Sequence, residues 1–300
     1  MRKLFVCIAL GLTTLTGNAA SPLWMRDVQI SPDGTEIAFC YKGDIYKVSA
    51  GGGTAIQLTT QPSYECTPIW SPDSKQIAFA SDRNGNFDIF VMPATGGTAQ
   101  RLTTHSSSEL PSAFTPDGKY ILFSASIQDP SQSALFPTTA MTELYKVPVN
   151  GGRTEQVLGT PAEAVCYAPS GEFFLYQDRK GFEDEWRKHH TSSITRDIWL
   201  YDTKTGKHTN LTNHAGEDRN PVLSPDGKSV YLLSERKGSF NVYSFPLDNA
   251  QDLKAVTSFK THPVRFLSMS HGGTLCYAYD GEIYTQKDKA PPQKINIDIV

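Results

Sequence analysis

One four-residue phrase recurs along this chain and constrains its fold more than any other feature. The phrase reads Ser/Thr-Pro-Asp-Gly/Ser, and its four clear copies and two weaker ones begin at Ser31, Ser71, Thr115, Ala168, Ser224 and Ser270. Consecutive copies start 40–56 residues apart, close to the roughly 40–50-residue period of a four-stranded propeller blade. Six copies therefore predict an all-β fold, a six-bladed β-propeller of four-stranded antiparallel blades.

Each phrase has the composition of a hairpin turn. Ser or Thr suits the first position of a type I turn, Pro presets the backbone at the second, and Gly supplies the left-handed conformation that follows. The residues predicted to form these structural turns are Pro32, Asp33, Gly34, Pro72, Asp73, Pro116, Asp117, Gly118, Pro225, Asp226 and Gly227.

The residues after each turn predict the rest of a blade. A short apolar strand follows directly, then a polar–aliphatic–aromatic strand such as Asp88-Ile89-Phe90, then a strand that often ends in Leu-Thr, as at Leu102-Thr103. The predicted blades cover residues 24–60, 61–104, 105–158, 159–213, 214–257 and 258–300.

The two ends of the chain lead to an expectation about how the ring closes. The first unit opens with its own first strand at residues 25–30, and the sixth ends with its own fourth strand at residues 294–300. No strand is left to exchange between them. We therefore expect residues 295–299 to pair with the strand at residues 282–285 of the same blade, so that blades 1 and 6 meet only through side chains.

The first 20 residues stand outside the repeat and resemble a secretory signal peptide. Arg2-Lys3 precedes an apolar run and a small-residue end at Ala19-Ala20, and Cys7 lies inside the apolar run, which argues against a lipoprotein. We expect a signal peptide over residues 1–20, a propeller over residues 21–300, and a periplasmic or secreted protein. No later stretch is apolar enough to span a bilayer.

Composition and motif spacing argue against several classes of function. A net charge of −3 and a pI of about 6.2 provide no electrostatic footprint for nucleic acid. The four cysteines of the predicted mature chain lack metal-ligand spacing, and free thiols near strands are expected. No nucleophile elbow, zinc-protease motif or phosphate-binding loop occurs, so we expect no cofactor, no metal site and no catalytic residue.

Two long connections between the second and third strands distinguish blades 3 and 4, at residues 127–142 and 179–195. We expect the two insertions to contact each other on one face, because the blades are neighbours and loops at this position of a propeller emerge on the same face. Long loops on a rigid scaffold are favoured places for binding. In the second insertion Trp186 and Arg187 are candidate anchors for a peptide or partner domain, with His189 and His190 beside them. Packing of the insertion on the blade edge remains the alternative; exposed anchors would change stability by no more than about 1 kcal/mol on replacement with alanine.

Further polar residues fall in the loops between blades. Glu65, His105, Glu217 and Arg219 gather near one mouth of the channel if the ring closes as predicted. Such residues can bind a ligand or carry acid–base chemistry, or they can simply line a solvent-filled channel.

These motifs also carry a family resemblance. The segments at residues 71–85 and 88–92 resemble the WD40-like repeat of TolB-type propellers. The decorated segments at residues 143–148, 182–193 and 196–199 are similar to the N-terminal six-bladed propeller of exported tricorn-protease-like S41 peptidases. This resemblance implies a non-catalytic propeller that binds or gates peptides, with peptides or a peptidase or PDZ region of the same or a partner chain as its partners.

The same resemblance implies a longer peptidase of which this chain is the N-terminal part, since no position matches the catalytic motif. Two alternatives stay open. One is a free-standing, TolB-like protein-binding module of the periplasm. The other is a metal-dependent propeller similar to oligogalacturonate lyase, which would use channel histidines.

Overall fold

In a computed structural model of the protein, six four-stranded antiparallel sheets follow one another along the chain. The structure describes residues 22–127, 141–181, 184, 186, 187, 192–287 and 290–300. Within each sheet the strands are hydrogen-bonded in chain order, and the first strand of each contacts the first strands of its neighbours. The predicted six-bladed, all-β propeller is confirmed. The predicted signal peptide lies outside the described residues.

Each blade runs from an inner strand at the channel to an outer strand on the outside of the ring. The strands of blades 1, 2 and 3 are β1 (Arg26–Ile30), β2 (Glu36–Tyr41), β3 (Asp44–Ser49), β5 (Ile56–Gln57); β6 (Glu65–Trp70), β7 (Gln76–Ser81), β8 (Asp88–Pro93), β9 (Gln100–Arg101); and β10 (Leu110–Phe114), β11 (Tyr120–Ala125), β12 (Glu143–Pro148), β13 (Glu155–Leu158). Those of blades 4, 5 and 6 are β14 (Glu163–Tyr167), β15 (Phe173–Gln177), β16 (Ile198–Asp202), β17 (His208–Asn210); β18 (Asp218–Leu223), β19 (Ser229–Ser234), β20 (Asn241–Pro246), β21 (Lys254–Ala255); and β22 (Arg265–Met269), β23 (Thr274–Tyr279), β24 (Glu282–Lys287), β25 (Gln293–Lys294). Two short strands, β4 (Gly53–Thr54) and β26 (Ile297–Asp298), lie outside the blades.

The repeated phrase forms the turn between the first and second strands of each blade. The Ser31 hydroxyl donates to Asp33 Oδ1 at 2.6 Å and accepts the Glu36 N–H at 3.0 Å, which satisfies the turn internally. This hydrogen bond from Ser31 is the main reason that the pKa of Asp33 lies below its usual value. The same hydroxyl-to-carboxylate bond recurs in the other three clear copies. Gly34 has a φ of +78°, and Ser74 takes the equivalent position at +60°.

The threonine of the Leu-Thr ending accepts a hydrogen bond from the backbone of the third strand. The Thr103 hydroxyl accepts the N–H of Ile89 in the third strand at 2.9 Å. Thr59, Thr212 and Thr257 accept the equivalent N–H group in blades 1, 4 and 5, each at 2.9 Å. The threonine therefore satisfies a backbone donor that would otherwise be buried without a partner.

Every inner strand carries a β-bulge at the same place. The register between first and second strands shifts once in each blade. In five blades a non-glycine residue at the bulge has a φ between +48° and +58°, namely Asp27, Thr67, Ala164, Asn220 and Phe266. Such a backbone is uncommon for any residue but glycine, and more so for β-branched Thr67. The bulges bend the inner strands where they border the channel.

The hydrophobic core is divided into six clusters, one at each contact between neighbouring blades. The cluster between blades 1 and 2 contains Ile45 and Phe79, for example, and the one between blades 4 and 5 contains Leu175 and Phe245. A cluster of the same kind joins blades 1 and 6. Apolar side chains therefore seal the ring all the way round.

The closure of the ring differs from the expectation. Residues 293–294 do pair with β24, but Ile297 and Asp298 pair in parallel with Gly53 and Thr54 of blade 1. The Gly53 N–H donates to Asn296 O at 2.9 Å, and the Ala55 N–H donates to Asp298 O at 2.8 Å. The prediction that blades 1 and 6 meet only through side chains is wrong, because the chain leaves blade 6 after Ile295, whose N–H still donates to Ile283 O at 2.9 Å.

Three further expectations concern the two insertions, the cysteines and membrane-spanning segments. The expected contact between the two insertions concerns residues 128–140, 182, 183, 185 and 188–191, which lie outside the described residues. The four cysteines of the described chain form no disulfide, as expected. The described residues include no helix with the length and apolar character needed to cross a bilayer.

Candidate functional site

The central channel forms a cavity of about 550 Å³ that opens on the face of the repeated turns. Its wall is made by the inner strands from the bulges onward, and its rim by the turns. Pro32, Pro72, Pro116 and Pro225 all lie on this rim. Successive turns pack on one another, since Gly118 faces Pro72 and Gly171 faces Pro116. The turn residues predicted from the sequence therefore build the mouth of the channel.

The described wall of this cavity has no acidic and no strongly basic side chain, and His271 lies exposed at its edge on the turn of blade 6. Among the described residues that line it there is no Asp, Glu, Lys or Arg. Its polar side chains include Gln29, Ser112, Asn220 and Ser268. Two of these hold neighbouring blades together: Ser268 Oγ accepts the Ile30 N–H at 3.1 Å, and Ser112 Oγ accepts the Val165 N–H at 2.7 Å. A molecule in the channel meets apolar surface and neutral hydrogen-bonding groups.

Trp186 of the blade 4 insertion lies at the end of the inner strands that is opposite the turns. The Arg26 guanidinium lies 4.6 Å from the centre of the Trp186 ring, and Trp186 packs edge-on against Phe266. Arg26 begins the inner strand of blade 1, and Phe266 lies in that of blade 6. Trp186, from the blade 4 insertion, therefore contacts the inner strands of blades 1 and 6.

Arg187 anchors this connection inside the protein. Its guanidinium donates to Glu235 at 2.6 Å and 3.0 Å and to Glu217 at 2.5 Å. Its side chain is only 3% exposed, and those of Glu217 and Glu235 are 0% and 7% exposed. The expectation that Arg187 is an exposed recognition residue is wrong. Trp186 is 45% exposed and remains accessible.

Neighbouring opposite charges outweigh the effect of burial on the pKa values of Glu217 and Arg187. Burial by itself would raise the pKa of Glu217, but Arg219, Arg196 and Arg187 together hold it below its usual value. Burial would likewise lower the pKa of Arg187, and its bonds to Glu235 and Glu217 raise it instead. Glu217 and Arg187 therefore stay ionised near neutral pH, and their ion pair holds this part of the insertion on blade 5.

Sequence reasoning missed two members of this cluster, Glu235 and Arg196. Arg196 donates to Glu217 at 2.7 Å, and Glu235 accepts the Glu217 N–H at 2.7 Å. A signal was present in a repeated dipeptide at the end of the second strand, Asp82-Arg83, Asp178-Arg179 and Glu235-Arg236. The arginine of each pairs with the acid that starts its own inner strand, at 3.0, 3.0 and 2.8 Å.

The remaining predicted site residues do not form one group. Glu217 and Arg219 lie together beside Arg187, and the Arg219 guanidinium packs on the Phe240 ring. Glu65 is fully buried in blade 2, where it binds Arg83 and Ser81. His105 accepts the Ser107 N–H in its own loop, and His189 and His190 lie outside the described residues. Within the described ranges, no three His, Cys, Asp or Glu side chains are placed to hold a metal.

Glu109 is a buried carboxyl with a strongly shifted pKa. It lies ahead of β10, is 1% exposed, and has one oxygen without a hydrogen-bond partner. Burial is the main cause that raises its pKa to about 7, and nearby Asp88 adds to the effect. The folded protein therefore holds a proton on Glu109 that the unfolded chain releases near pH 4.5.

We expect Glu109→Gln to stabilise the protein at pH 8 by about 1–3 kcal/mol, since each unit of pKa shift corresponds to about 1.4 kcal/mol. Because the folded pKa is raised, the penalty from Glu109 grows as pH rises from about 4.5 to 7 and is constant above. The gain should shrink when urea unfolding is measured at pH 5. Glu155→Gln, at a half-exposed side chain, is the control; an equal gain there, or one independent of pH, contradicts the assignment.

The comparisons with known proteins agree with this architecture. The sequence model of the tricorn protease N-terminal β-propeller domain matches residues 22–291. The crystal structure of the tricorn protease superposes with a TM-score of 0.75 at 21% identity, covering 91% of this chain and 26% of that one. TolB from Acinetobacter baumannii superposes with a TM-score of 0.64 at 20% identity, covering 87% of this chain and 60% of that one. At these identities the likeness is one of fold.

A curated relative is the uncharacterized peptidase YuxL of Bacillus subtilis. It is 32% identical over 72 residues, which amount to 24% of this chain and 10% of that protein. The chain therefore spans less than two thirds of the length of each of these relatives.

Proposed function

This chain belongs to the family of tricorn protease N-terminal β-propeller domains, and from that membership we propose that it binds or gates peptides for a peptidase. In this proposal the chain is exported and non-catalytic. The peptidase region belongs to the same chain or to a partner. The observation that carries the proposal is the central channel, open at the ring of turns, whose described wall has no acidic and no strongly basic side chain.

The channel suits peptides because its wall offers backbone as well as side chains. Each inner strand is the last strand of its sheet on the channel side. Its inner edge therefore faces the cavity, and backbone groups there that are not already bonded, as those of Ile30 and Val165 are, can bind an extended peptide through main-chain hydrogen bonds. Such hydrogen bonds recognise the peptide backbone, so they form with peptides of many different sequences.

The absence of acidic and strongly basic side chains from the described wall narrows the class of peptide. An ionised side chain that enters the channel loses water and finds no opposite charge on the described wall, which is costly. A peptide with apolar or neutral side chains loses little water and covers apolar surface such as Trp70 and Phe114. We therefore propose uncharged, extended peptides as the preferred ligands.

The second candidate is a free-standing protein-binding module like TolB. The fold similarity to TolB favours it. In that case the channel need not bind peptides at all, and binding by the channel distinguishes the two candidates.

A charge placed in the channel tests the proposal. Gln29 lines the cavity in blade 1, and Gln29→Glu changes its charge with almost no change in shape. We expect this variant to bind an acetylated, amidated and fluorescently labelled heptapeptide of neutral side chains about tenfold more weakly, or about 1.4 kcal/mol. Fluorescence anisotropy measures the effect, with matching thermal unfolding of the two proteins as a check on folding.

Gln156→Glu is the matched control, because Gln156 is exposed on the outer strand β13. It should bind the peptide as the wild type does. Unchanged binding by Gln29→Glu, or no binding by the wild type, would refute peptide binding in the channel and favour the TolB-like module.

A further inference from the structure

A second recess, of about 690 Å³, lies on the face opposite the turns, beside blade 1. We call it the blade 1 groove and define it by Leu23, Trp24, Arg26, Tyr41, Lys42 and Tyr64, which line it. It is separate from the channel cavity, since the two share no lining residue.

The groove is recessed because blades 1 and 6 have short connections between their second and third strands on this face. Their second and third strands are joined by two-residue turns, Lys42-Gly43 with φ of +52° and +92° and Asp280-Gly281 with φ of +53° and +78°. The segment at residues 22–24 lies across the turn of blade 6, where the Met25 N–H donates to Gly281 O at 3.2 Å. A Cβ on Gly281 would approach Trp24 N to 2.9 Å, so the turn fixes this segment closely.

The floor of the groove is apolar and exposed. Trp24 is 69% exposed, Leu23 is 52% exposed and Tyr64 is 39% exposed. Single exposed apolar residues are ordinary on a protein surface, whereas a contiguous group marks a contact site. Trp24 also has a φ of +70°, which is a rare backbone conformation for a bulky residue. The fold thus holds an aromatic ring at the surface in a strained conformation.

The walls of the groove are cationic. The Arg26 guanidinium packs on Trp186, and the Lys42 ammonium lies 5.3 Å from the centre of the Tyr41 ring. No carboxylate occurs among the described residues that line the groove. Asp27 and Asp82 lie outside this lining, where Asp27 accepts the Thr67 N–H at 3.1 Å and Asp82 accepts the Tyr64 N–H at 2.7 Å. Positive charge therefore stands beside exposed aromatic surface without a counter-charge in the lining.

We propose that the blade 1 groove is a docking site for an acidic segment of a partner protein that carries one aromatic or large aliphatic side chain. The apolar side chain packs on Trp24 and Tyr64, and the flanking carboxylates pair with Arg26 and Lys42. Aromatic anchors with cations at the edge are the usual energetic centres of such contacts. The groove carries positive charge, whereas the described wall of the channel carries no acidic or strongly basic side chain. The groove proposal does not depend on peptide binding in the channel.

The test uses three amidated heptapeptides with acetylated amino ends: phenylalanine flanked by aspartates, phenylalanine flanked by lysines, and glycine flanked by aspartates. We expect the wild type to bind the first at least tenfold more tightly than the other two. The preference over the lysine peptide should fall between 50 and 300 mM salt, because salt screens exposed charges.

Two variants locate the binding. Trp24→Ala removes an exposed ring and Lys42→Glu reverses an exposed charge, so both proteins should fold. Each should weaken binding of the aspartate–phenylalanine peptide about tenfold, and Lys42→Glu should also improve binding of the lysine-flanked peptide. Lys237→Glu, an exposed lysine of blade 5 on the same face, should have no effect. All three should bind the neutral channel peptide normally if that peptide binds the wild type.

Several results would overturn the groove proposal. One is equal binding of the acidic and basic peptides, and another is an equal loss in Lys237→Glu. A third is that the protein does not bind the acidic peptide but self-associates, and that Trp24→Ala abolishes the self-association. That result would assign the groove to a second copy of this chain. Failure of the channel peptide alone leaves the groove proposal standing.

Discussion

Arg187→Met is expected to lower the free energy of unfolding by about 3–5 kcal/mol, the usual cost of removing one partner of a buried ion pair. The substitution keeps most of the side-chain volume but leaves Glu235 without its guanidinium and Glu217 with only Arg196 and Arg219 nearby. This is far more than the 1 kcal/mol expected of an exposed residue. Urea unfolding of the purified protein measures it.

A second substitution and a change of pH show whether charge is the cause. Arg187→Met combined with Glu235→Gln should recover part of the loss, because the orphaned carboxylate is then neutral. In Arg187→Met alone the buried carboxylates lose a cationic partner. Protonation at lower pH removes the uncompensated charge, so the deficit should be smaller at pH 5 than at pH 7. A loss below 1 kcal/mol, or one that neither change reduces, would mean that the ion pairs do not hold the insertion.

Gly52→Ala is expected to destabilise the protein by about 2–5 kcal/mol and to open the joint between the ends of the chain. Gly52 has a φ of +91°, and a Cβ there would lie 2.6 Å from Asn296 O. Part of the cost is the left-handed backbone, about 1–2 kcal/mol for an L-residue. The rest is the displacement of β26 from β4, which also exposes Ile297, now only 3% exposed.

Blade 2 offers a matched control for this joint. Gly96 occupies the equivalent turn with a φ of +87°, and a Cβ there would meet only Leu58 Cδ2 at 3.6 Å. Gly96→Ala should therefore show the backbone cost alone. Hydrogen exchange should show loss of protection at the Gly53 and Ala55 amides, which donate to residues 296 and 298, in Gly52→Ala only. Equal effects of the two substitutions would contradict a role for the C-terminal strand in closing the ring.

The sequence determined those features that a few adjacent residues can specify. The Ser-Pro-Asp-Gly turns form their own hydrogen bonds within five residues, as Ser31 does with Asp33 and Glu36. Their repetition at one period predicts the number of blades, and the Leu-Thr ending predicts a strand end whose hydroxyl bonds lie within the same blade. The bulges were not predicted, since Asp27, Thr67 and Ala164 have no sequence feature in common.

Only the tertiary structure decided what depends on contacts across the ring. Arg187 looks like a surface residue in a polar insertion, yet its partners Glu217 and Glu235 stand 30 and 48 residues away. Residues 295–299 have the pattern of an ordinary fourth strand, and the pairing of Ile297 and Asp298 with blade 1 depends on where the ring brings residues 53–55. The channel and the cationic groove arise in the same way, from side chains of several blades. Local hydrogen bonding is encoded in neighbouring residues, whereas charge pairing, closure and binding surfaces depend on which distant blades the ring places side by side.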